Sequence, residues 1–256
     1  MFFSVIGEDK RMEYVANKLY SLGCEINKDI NNHVIILPPP LNLEYLSKLS
    51  PYFNNIKIIY GGSISNEVKE KVPETINLID YLSDDIVVEK NAILTAMGVI
   101  KYAKTSLNAF NDLNVLVIGY GFCGKAISNE LKKYNLNISV AVRNNKLKNE
   151  IESKDYNYVD LKYLHLNKNT EYQLIFNTVP AMILDSATID TLNPSVKIFD
   201  IASNPGGVDF LYCKEKGIFA ELILGIPGKE YPKEAGEIIA DYCYNHYMNN
   251  FYNPPS

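Results

Sequence analysis

The sequence predicts an α/β protein of two domains, a smaller N-terminal α/β unit followed by a doubly wound parallel sheet. Three observations carry this. Apolar runs such as Val115–Ile118 are short and continuous rather than alternating, as expected of strands buried on both faces of a parallel sheet. These runs end in glycine or proline turns and alternate with segments of helical apolar spacing. One long helical pattern, Asp84 to Phe110, separates a first series of such units from a second.

Taken in order, Phe2 to Ile6 is a strand ending at Gly7, and Lys10 to Leu22 is a helix with Met12, Val15, Ala16 and Leu19 at helical spacing. Val34 to Leu37 is a strand that Pro38, Pro39 and Pro40 stop. Leu43 to Leu49 reads as a helix, Ile56 to Tyr60 as a strand, Ser65 to Lys71 as a helix and Ile76 to Leu82 as a last small element. Asp84 or Asp85 caps the long helix. Past it come a strand from Val115, a helix over Lys125 to Tyr134, the strand Asn137 to Val142, a helix near Lys146 to Ser153 and a strand near Tyr158. The strands Gln173 to Phe176, Val196 to Ala202 and Ile218 to Leu224 follow, with helices Ser186 to Leu192 and Asp209 to Lys216 between them. A final helix, Pro232 to Met248, is expected to pack back on the first domain, and the tail from Phe251 to be loose. Residues 1–83 thus form the N-terminal, substrate-side domain, completed by the helices over 84–110 and 232–248, and residues 111–231 form the second domain.

Composition narrows the function classes. At 47% hydrophobic and 21% charged the chain is ordinary for a globular protein, and its net charge of −5 with no basic cluster excludes a nucleic-acid surface. Cys24, Cys123, Cys213 and Cys243 are scattered without paired or metal-ligand spacing, so reduced thiols and no metal are expected. The N-terminus lacks the pattern of a signal peptide, and no apolar run reaches membrane-spanning length, which points to the cytoplasm.

The most informative stretch is Leu113 to Tyr134. Its apolar strand runs into Gly119, Gly121 and Gly124, a G-x-G-x-x-G, and then into a helix and a second strand. The first glycine of such a motif makes the tight turn, the second admits a pyrophosphate to the backbone, and the third lets helix and strand pack closely. The helix N-terminus then faces the phosphates. The second domain is therefore of Rossmann type and binds a dinucleotide. At the end of the following strand stands Arg143 with Asn144, and no carboxylate that would hold a ribose hydroxyl. That favours NADP, whose 2′-phosphate an arginine suits, while leaving NAD compatible.

Three later turns follow strand ends on the edge where a nicotinamide lies: Phe176–Pro180, Asp200–Asp209 and Leu224–Gly236. Pro180, Pro205 and Pro227 stiffen them, and Gly206, Gly207 and Gly228 keep side chains away from a planar ring. The cofactor-contacting set is then Gly119, Tyr120, Gly121, Phe122, Cys123, Gly124, Arg143 and Asn144, with Asn177, Thr178, Val179, Pro180, Ala202, Ser203 and Pro227 from these loops.

The segments Gly7–Arg11, Val88–Gly98, Phe176–Pro180, Ala202–Phe210 and Gly225–Gly236 together resemble the A subunit of dipicolinate synthase, over nearly the whole chain. The resemblance implies NADP-linked dehydrogenation of a dihydrodipicolinate-type precursor to pyridine-2,6-dicarboxylate for bacterial endospores. It implies a B-subunit partner and a place in the mother-cell cytoplasm. Such a reaction needs a hydride acceptor, a route for a proton and cations for two carboxylates. Arg11 and Lys90 are the expected substrate anchors, Asp9 and Glu89 their orienting partners, with Thr95 and Lys229 nearby; a homo-oligomer is also expected. No general base stands out, since His33, His165 and His246 lie outside every motif.

Three rival readings stand beside this one. A 2-hydroxyacid dehydrogenase shares the two-domain layout, yet no histidine lies between Pro205 and Lys233, and Asn177 stands where that family often shows one. The methylene-tetrahydrofolate dehydrogenases share a proline- and glycine-rich late loop but not their N-terminal Tyr/Lys motif. A non-catalytic subunit that senses NADP is compatible with the glycine motif alone.

Overall fold

The structure is a computed structural model and describes residues 1–30 and 32–252. It divides into two compact units, Met1–Asn91 with the segment from Pro227 onward, and Ala92–Ile226. Both are α/β, as the alternation of apolar runs and helical patterns predicts.

The first unit runs β1 (Phe2–Val5), α1 (Lys10–Ser21), β2 (Glu25–Asn27), β3 (Val34–Ile36), α2 (Leu43–Leu49), β4 (Ile58–Gly61), α3 (Asn66–Lys71) and β5 (Asn77–Asp80). Its strands are all parallel, in the order β2-β1-β3-β4-β5. That order reverses between β1 and β3, which opens a crevice at their carboxyl ends. Cap residues fix the helix starts: Asp9, Asn42 and Ser65 each accept a first-turn amide. The long helix α4 (Asp85–Thr105) begins here and continues into the second unit.

The second unit contains β6 (Leu113–Ile118), α5 (Phe122–Leu131), β7 (Leu136–Val142), α6 (Lys148–Glu152), β8 (Asn157–Asp160), β9 (Leu174–Asn177), α7 (Ser186–Ile189), β10 (Lys197–Asp200), α8 (Phe210–Glu215) and β11 (Phe219–Leu222). The sheet is parallel throughout, in the order β11-β10-β9-β6-β7-β8. Counted within the unit, this is the doubly wound dinucleotide order, with its switch between β6 and β9. One face packs α4 and α5 through Val99, Ile127, Val117 and Phe176, and the other packs Leu116, Ile175, Ile198 and Cys213.

The chain then returns to the first unit as α9 (Ile226–Glu230) and α10 (Pro232–Tyr247). Helix α10 lies on α1, burying Ile239, Ala240 and Cys243 against Phe3, Val15 and Leu19, with Lys18 and Asp241 3.4 Å apart at the rim. His246 Nδ1 lies 3.0 Å from the Tyr60 hydroxyl, and burial lowers its imidazole pKa. Among the described residues no helix is long and apolar enough to cross a membrane.

Several boundaries differ from expectation. β2 was not expected, because a three-residue strand with both outer residues exposed carries no apolar run. Helix α5 starts at Phe122 instead of Lys125, so Gly124 lies inside it. α4 stops at Thr105, short of Phe110, and α9 occupies part of what read as a loop. The tail begins with a turn over Met248–Tyr252 in which Phe251 packs on His246 and Tyr247, and residues 253–256 lie outside the described residues.

Gly236 sets the spacing of α1 and α10. A Cβ there would stand 2.5 Å from the Arg11 carbonyl oxygen and 2.8 Å from Tyr14 Cβ. Alanine gains up to about 1 kcal/mol in helix propensity, but overpacking against a backbone costs about 1–3 kcal/mol. Gly236→Ala is therefore expected to lower unfolding stability by about 1 kcal/mol or more, read from urea denaturation. An unchanged midpoint would show that the helices separate freely.

Candidate functional site

At the switch point of the second sheet, the three motif glycines meet three different surroundings. Gly119 has a φ of 97°, and a Cβ on it would strike the Thr178 hydroxyl and lie 2.9 Å from Val179 Cγ2. A Cβ on Gly124 would fall on the Gly119 carbonyl oxygen. Gly121 is different: among the described residues nothing lies within 4 Å of a Cβ built there. Two glycines are thus required by the protein's own packing, and the middle one opens a space at the start of α5, whose cap makes no side-chain hydrogen bond. That is the arrangement a pyrophosphate needs, so the residues present fit a dinucleotide.

Within the motif the side chains diverge. Tyr120 turns inward, edge-on to Tyr156, with Lys125 Nζ 5.1 Å over its ring and bound to Glu150 at 2.8 Å. Phe122 is 43% exposed at the helix start. Cys123 is half-buried, and burial pushes its thiol pKa up, away from reactivity.

The loops beyond β9 and β10 are tied to this turn by a buried polar node. Thr178 donates its amide at 2.9 Å and its hydroxyl at 2.8 Å to the Ile118 carbonyl at the end of β6. Asn177 is fully buried, and its amide nitrogen donates to the Val179 carbonyl at 3.0 Å and to Asp200 Oδ1 at 2.9 Å. Asp200, also fully buried, further accepts the amides of Ala202 at 3.0 Å and Gly207 at 2.7 Å. Asn177 and Ala202, expected to face the cofactor, are tied into this node, and both donors of the Asn177 amide are occupied. Asp200 was missed. Its signal was a carboxylate closing a buried strand ahead of Asn204–Gly207, a loop that leaves amides to be satisfied. Ser203 and Pro180 are exposed at the loop tips.

At the other end of the switch, Arg143 is exposed beyond β7 beside Asn144, whose side chain caps the next turn by accepting the Lys146 amide. Arg143 lines a cleft of about 410 Å3 with Lys162, His165, Met182 and Asp185 among its walls. Lys162 and His165, which line this cleft, stand on a 3-10 turn, Leu161–Leu166, that carries no motif.

The first unit places its own charged group at its switch point. Arg11, at the start of α1, donates Nε to Asp9 Oδ1 at 2.9 Å and Nη2 to Asp9 Oδ2 at 2.6 Å, with a further bond from Nη2 to the Pro39 carbonyl at 3.2 Å. The pair is only 17% and 27% exposed. Burial alone would raise the Asp9 carboxyl, but hydrogen bonds and charge from Arg11 outweigh it and hold the carboxyl below its usual 3.8. Burial opposes the Arg11 charge, and Asp9 reverses that as well. Gly228 of α9 lies flat on the guanidinium, where a Cβ would be 3.0 Å from its central carbon. The Nη1 hydrogens have no protein partner among the described residues. Arg11 is thus fixed in direction and keeps one nitrogen free for an anion.

The remaining expected residues are not gathered here. Lys90 lines a separate groove of about 330 Å3 against Asp241, Tyr242 and Asn245, towards the far end of α10. The helical phase of α4 turns it there, which periodicity alone does not reveal. Glu89 is exposed on α4, and Thr95 is half-buried further along it. Lys229 is exposed on α9, one residue past the glycine that packs on Arg11, and Pro227 is half-buried at the start of that helix.

Asp200 supplies a direct test. In Asp200→Asn one oxygen becomes an N–H2 that must face either the Gly207 amide or the amides of Asn177 and Ala202. A buried donor left unpaired costs about 1–3 kcal/mol, so the variant is expected to lose that much stability in chemical denaturation. It should also bind nucleotide more weakly, since the loops at the glycine turn lose their tie. Wild-type stability in the variant would remove the node from this role.

No family model matches the chain. The A subunit of dipicolinate synthase from Bacillus subtilis (strain 168) is 30% identical over 194 residues, covering 74% of this chain and 62% of that relative. The chain thus spans less than two thirds of that curated relative's length. The crystal structure of the dipicolinate synthase A subunit from Bacillus halodurans superposes with a TM-score of 0.84 at 22% identity, over 97% of this chain and 98% of that one. D-lactate dehydrogenase from Salmonella shares the fold at a TM-score of 0.65 and 13% identity, over 98% of each chain. In sequence and in fold alike, this chain is similar to the A subunit of dipicolinate synthase.

Proposed function

We propose that this chain is the dehydrogenase subunit of a dipicolinate synthase, oxidising a dihydrodipicolinate-type ring to pyridine-2,6-dicarboxylate with NADP, in a sporulating cell and together with a B subunit. The observation that carries the dinucleotide part is the open space at Gly121 between two glycines that packing requires. Sequence similarity to the A subunit of dipicolinate synthase supports the substrate.

In this reading the second unit binds the nucleotide and the first recognises substrate. The α5 N-terminus takes the pyrophosphate, Gly119 and the Thr178–Pro180 turn bound the dinucleotide's path, and Arg143 pairs with the 2′-phosphate, assisted by Lys162 and His165 in the same cleft. The nicotinamide supplies the hydride acceptor when bound. Arg11 presents its free Nη1 to one substrate carboxylate, and Lys229 serves the other in place of Lys90. The ring loses a hydride and a proton, and aromatisation drives the loss; no side chain is assigned as the base.

Losing a charge-assisted hydrogen bond of about 1.5–3 kcal/mol corresponds to roughly 10- to 100-fold in affinity. Arg11→Ala is expected to raise the substrate KM by about that factor while leaving the NADP KM unchanged. Arg143→Ala should do the reverse and erase the preference for NADP over NAD. The readout is NADPH absorbance and the growth of the dipicolinate band, with and without the B subunit. Equal loss of both substrates in Arg11→Ala, or no turnover of the dihydropyridine under either condition, would overturn the proposal.

A further inference from the structure

Among the described residues, three that are not glycine take a left-handed backbone: Ser63 at a φ of 54°, Asp112 at 57° and Asp155 at 58°. Aspartate visits that region readily, and serine less so. Asp112 and Asp155 also lie in turns that lead into β6 and β8, at the amino edge of their sheet. Ser63 instead follows β4, at the carboxyl edge of the first sheet, where parallel sheets bind their ligands.

The turn at Ser63 is firmly built, and it leaves the side chain unused. Asp80 accepts the Ser63 amide at 3.1 Å and the Ile64 amide at 2.9 Å, which fixes the backbone. Gly61 and Gly62 stand before it for want of room. A Cβ would lie 2.7 Å from Leu41 Cδ2 on the first and 2.6 Å from the Tyr81 ring on the second. At residue 63 it is conformation that calls for glycine, since a left-handed φ strains an L side chain. Serine is there all the same, exposed, and its hydroxyl makes no hydrogen bond among the described residues. Within those residues nothing offsets the strain of carrying that side chain.

Arg11 is close by. Its Nη2 donates to the Pro39 carbonyl, and Pro39 also faces Gly62, whose Cβ would lie 2.8 Å from Pro39 Cβ. Ser63 and Arg11 therefore flank the same proline. Because Arg11 keeps only Nη1 free, a carboxylate held there has a second oxygen that the guanidinium fork does not reach. We propose that the Ser63 hydroxyl is a substrate-binding group, donating to the second oxygen of the carboxylate that Arg11 Nη1 takes. The strained serine supplies the fixed second donor that the guanidinium gives up to Asp9. This rests on the reading of the chain as a dipicolinate synthase subunit, and the carboxylate is one of the two on the pyridine ring.

Binding of pyridine-2,6-dicarboxylate to the full chain with NADP present, read by isothermal titration calorimetry, tests this. Ser63→Gly and Ser63→Ala should each weaken it about tenfold, as expected for the loss of one hydrogen bond to a charged group. NADP affinity should not change. Ser63→Gly should also raise the urea midpoint or leave it in place, because the strain is relieved. Combined with Arg11→Ala, the loss should be smaller than the product of the single losses, since both groups hold one carboxylate. A wild type that binds the dicarboxylate while both Ser63 variants bind it equally well overturns this assignment alone. So do losses that multiply independently, or a Ser63→Gly midpoint well below wild type, which would give the residue a structural role. A wild type that takes no pyridine dicarboxylate overturns the dipicolinate reading, and the role of Ser63 with it.

Discussion

A buried carboxylate with no cation beside it survives only when its oxygens are hydrogen-bonded, because desolvation otherwise costs several kcal/mol. The active edge of the second sheet is built on this condition. Asp200 collects three neutral donors, one from Asn177 at the end of the neighbouring strand and two from the backbone of the following loop. Satisfying the carboxylate thereby fixes two loops relative to each other. Thr178, one residue past Asn177, in turn holds the glycine turn through the Ile118 carbonyl. The open space at Gly121 adjoins a turn that these ties hold in place.

The first unit meets the same condition differently. Asp80 accepts the amides of Ser63, Ile64 and Leu82, and so draws the loop after β4 onto the end of β5. Asp9, by contrast, has a cation of its own, and the pair is locked between the Pro39 carbonyl and Gly228. One unit uses a carboxylate to shape loops. The other uses a carboxylate to hold a cation in a set direction. Both devices sit at the carboxyl edge of a parallel sheet, the second beside its switch point and the first one strand away from it.

How much of this was legible follows from the physics of each signal. Strands buried on both faces announce themselves as apolar runs, so β6, β7 and β9 were readable almost to the residue. β2 is an edge strand of three residues, and its pairing comes from the neighbour rather than from its own side chains. α9 was hidden because Pro227 and Gly228 read as a turn, although a proline is at home in the first turn of a helix. Around the candidate sites, the packing of Gly119 and Gly124 and the pairing of Asp9 with Arg11 rest on signals local in the chain, a glycine spacing and two charges two residues apart. What lies across a loop was not legible: Asn177 was singled out but its partner Asp200 was not, because the two become a pair only when β9 and β10 stand side by side. Lys90 shows the complementary failure, since spacing along α4 says which residues share a face but not what that face meets.

The pairing of Arg11 with Asp9 bears on what the first unit can recognise. Together the two groups carry no net charge, so the site attracts a dianion weakly at a distance and acts mainly through the direction of its remaining N–H bonds. Nε and Nη2 are engaged by Asp9 and Pro39, which leaves Nη1 alone and excludes the two-nitrogen fork that arginine usually offers a carboxylate. A single nitrogen positions one carboxylate but does not hold both ends of a rigid ring. In the proposed function a second cation would therefore have to serve the other carboxylate. Lys229 meets that need better than Lys90, because the glycine before it already rests on the guanidinium, whereas Lys90 faces a different groove. In the proposed function the exposed Lys229 would be the mobile anchor and the packed Arg11 the rigid one, a division that follows from how tightly each is held.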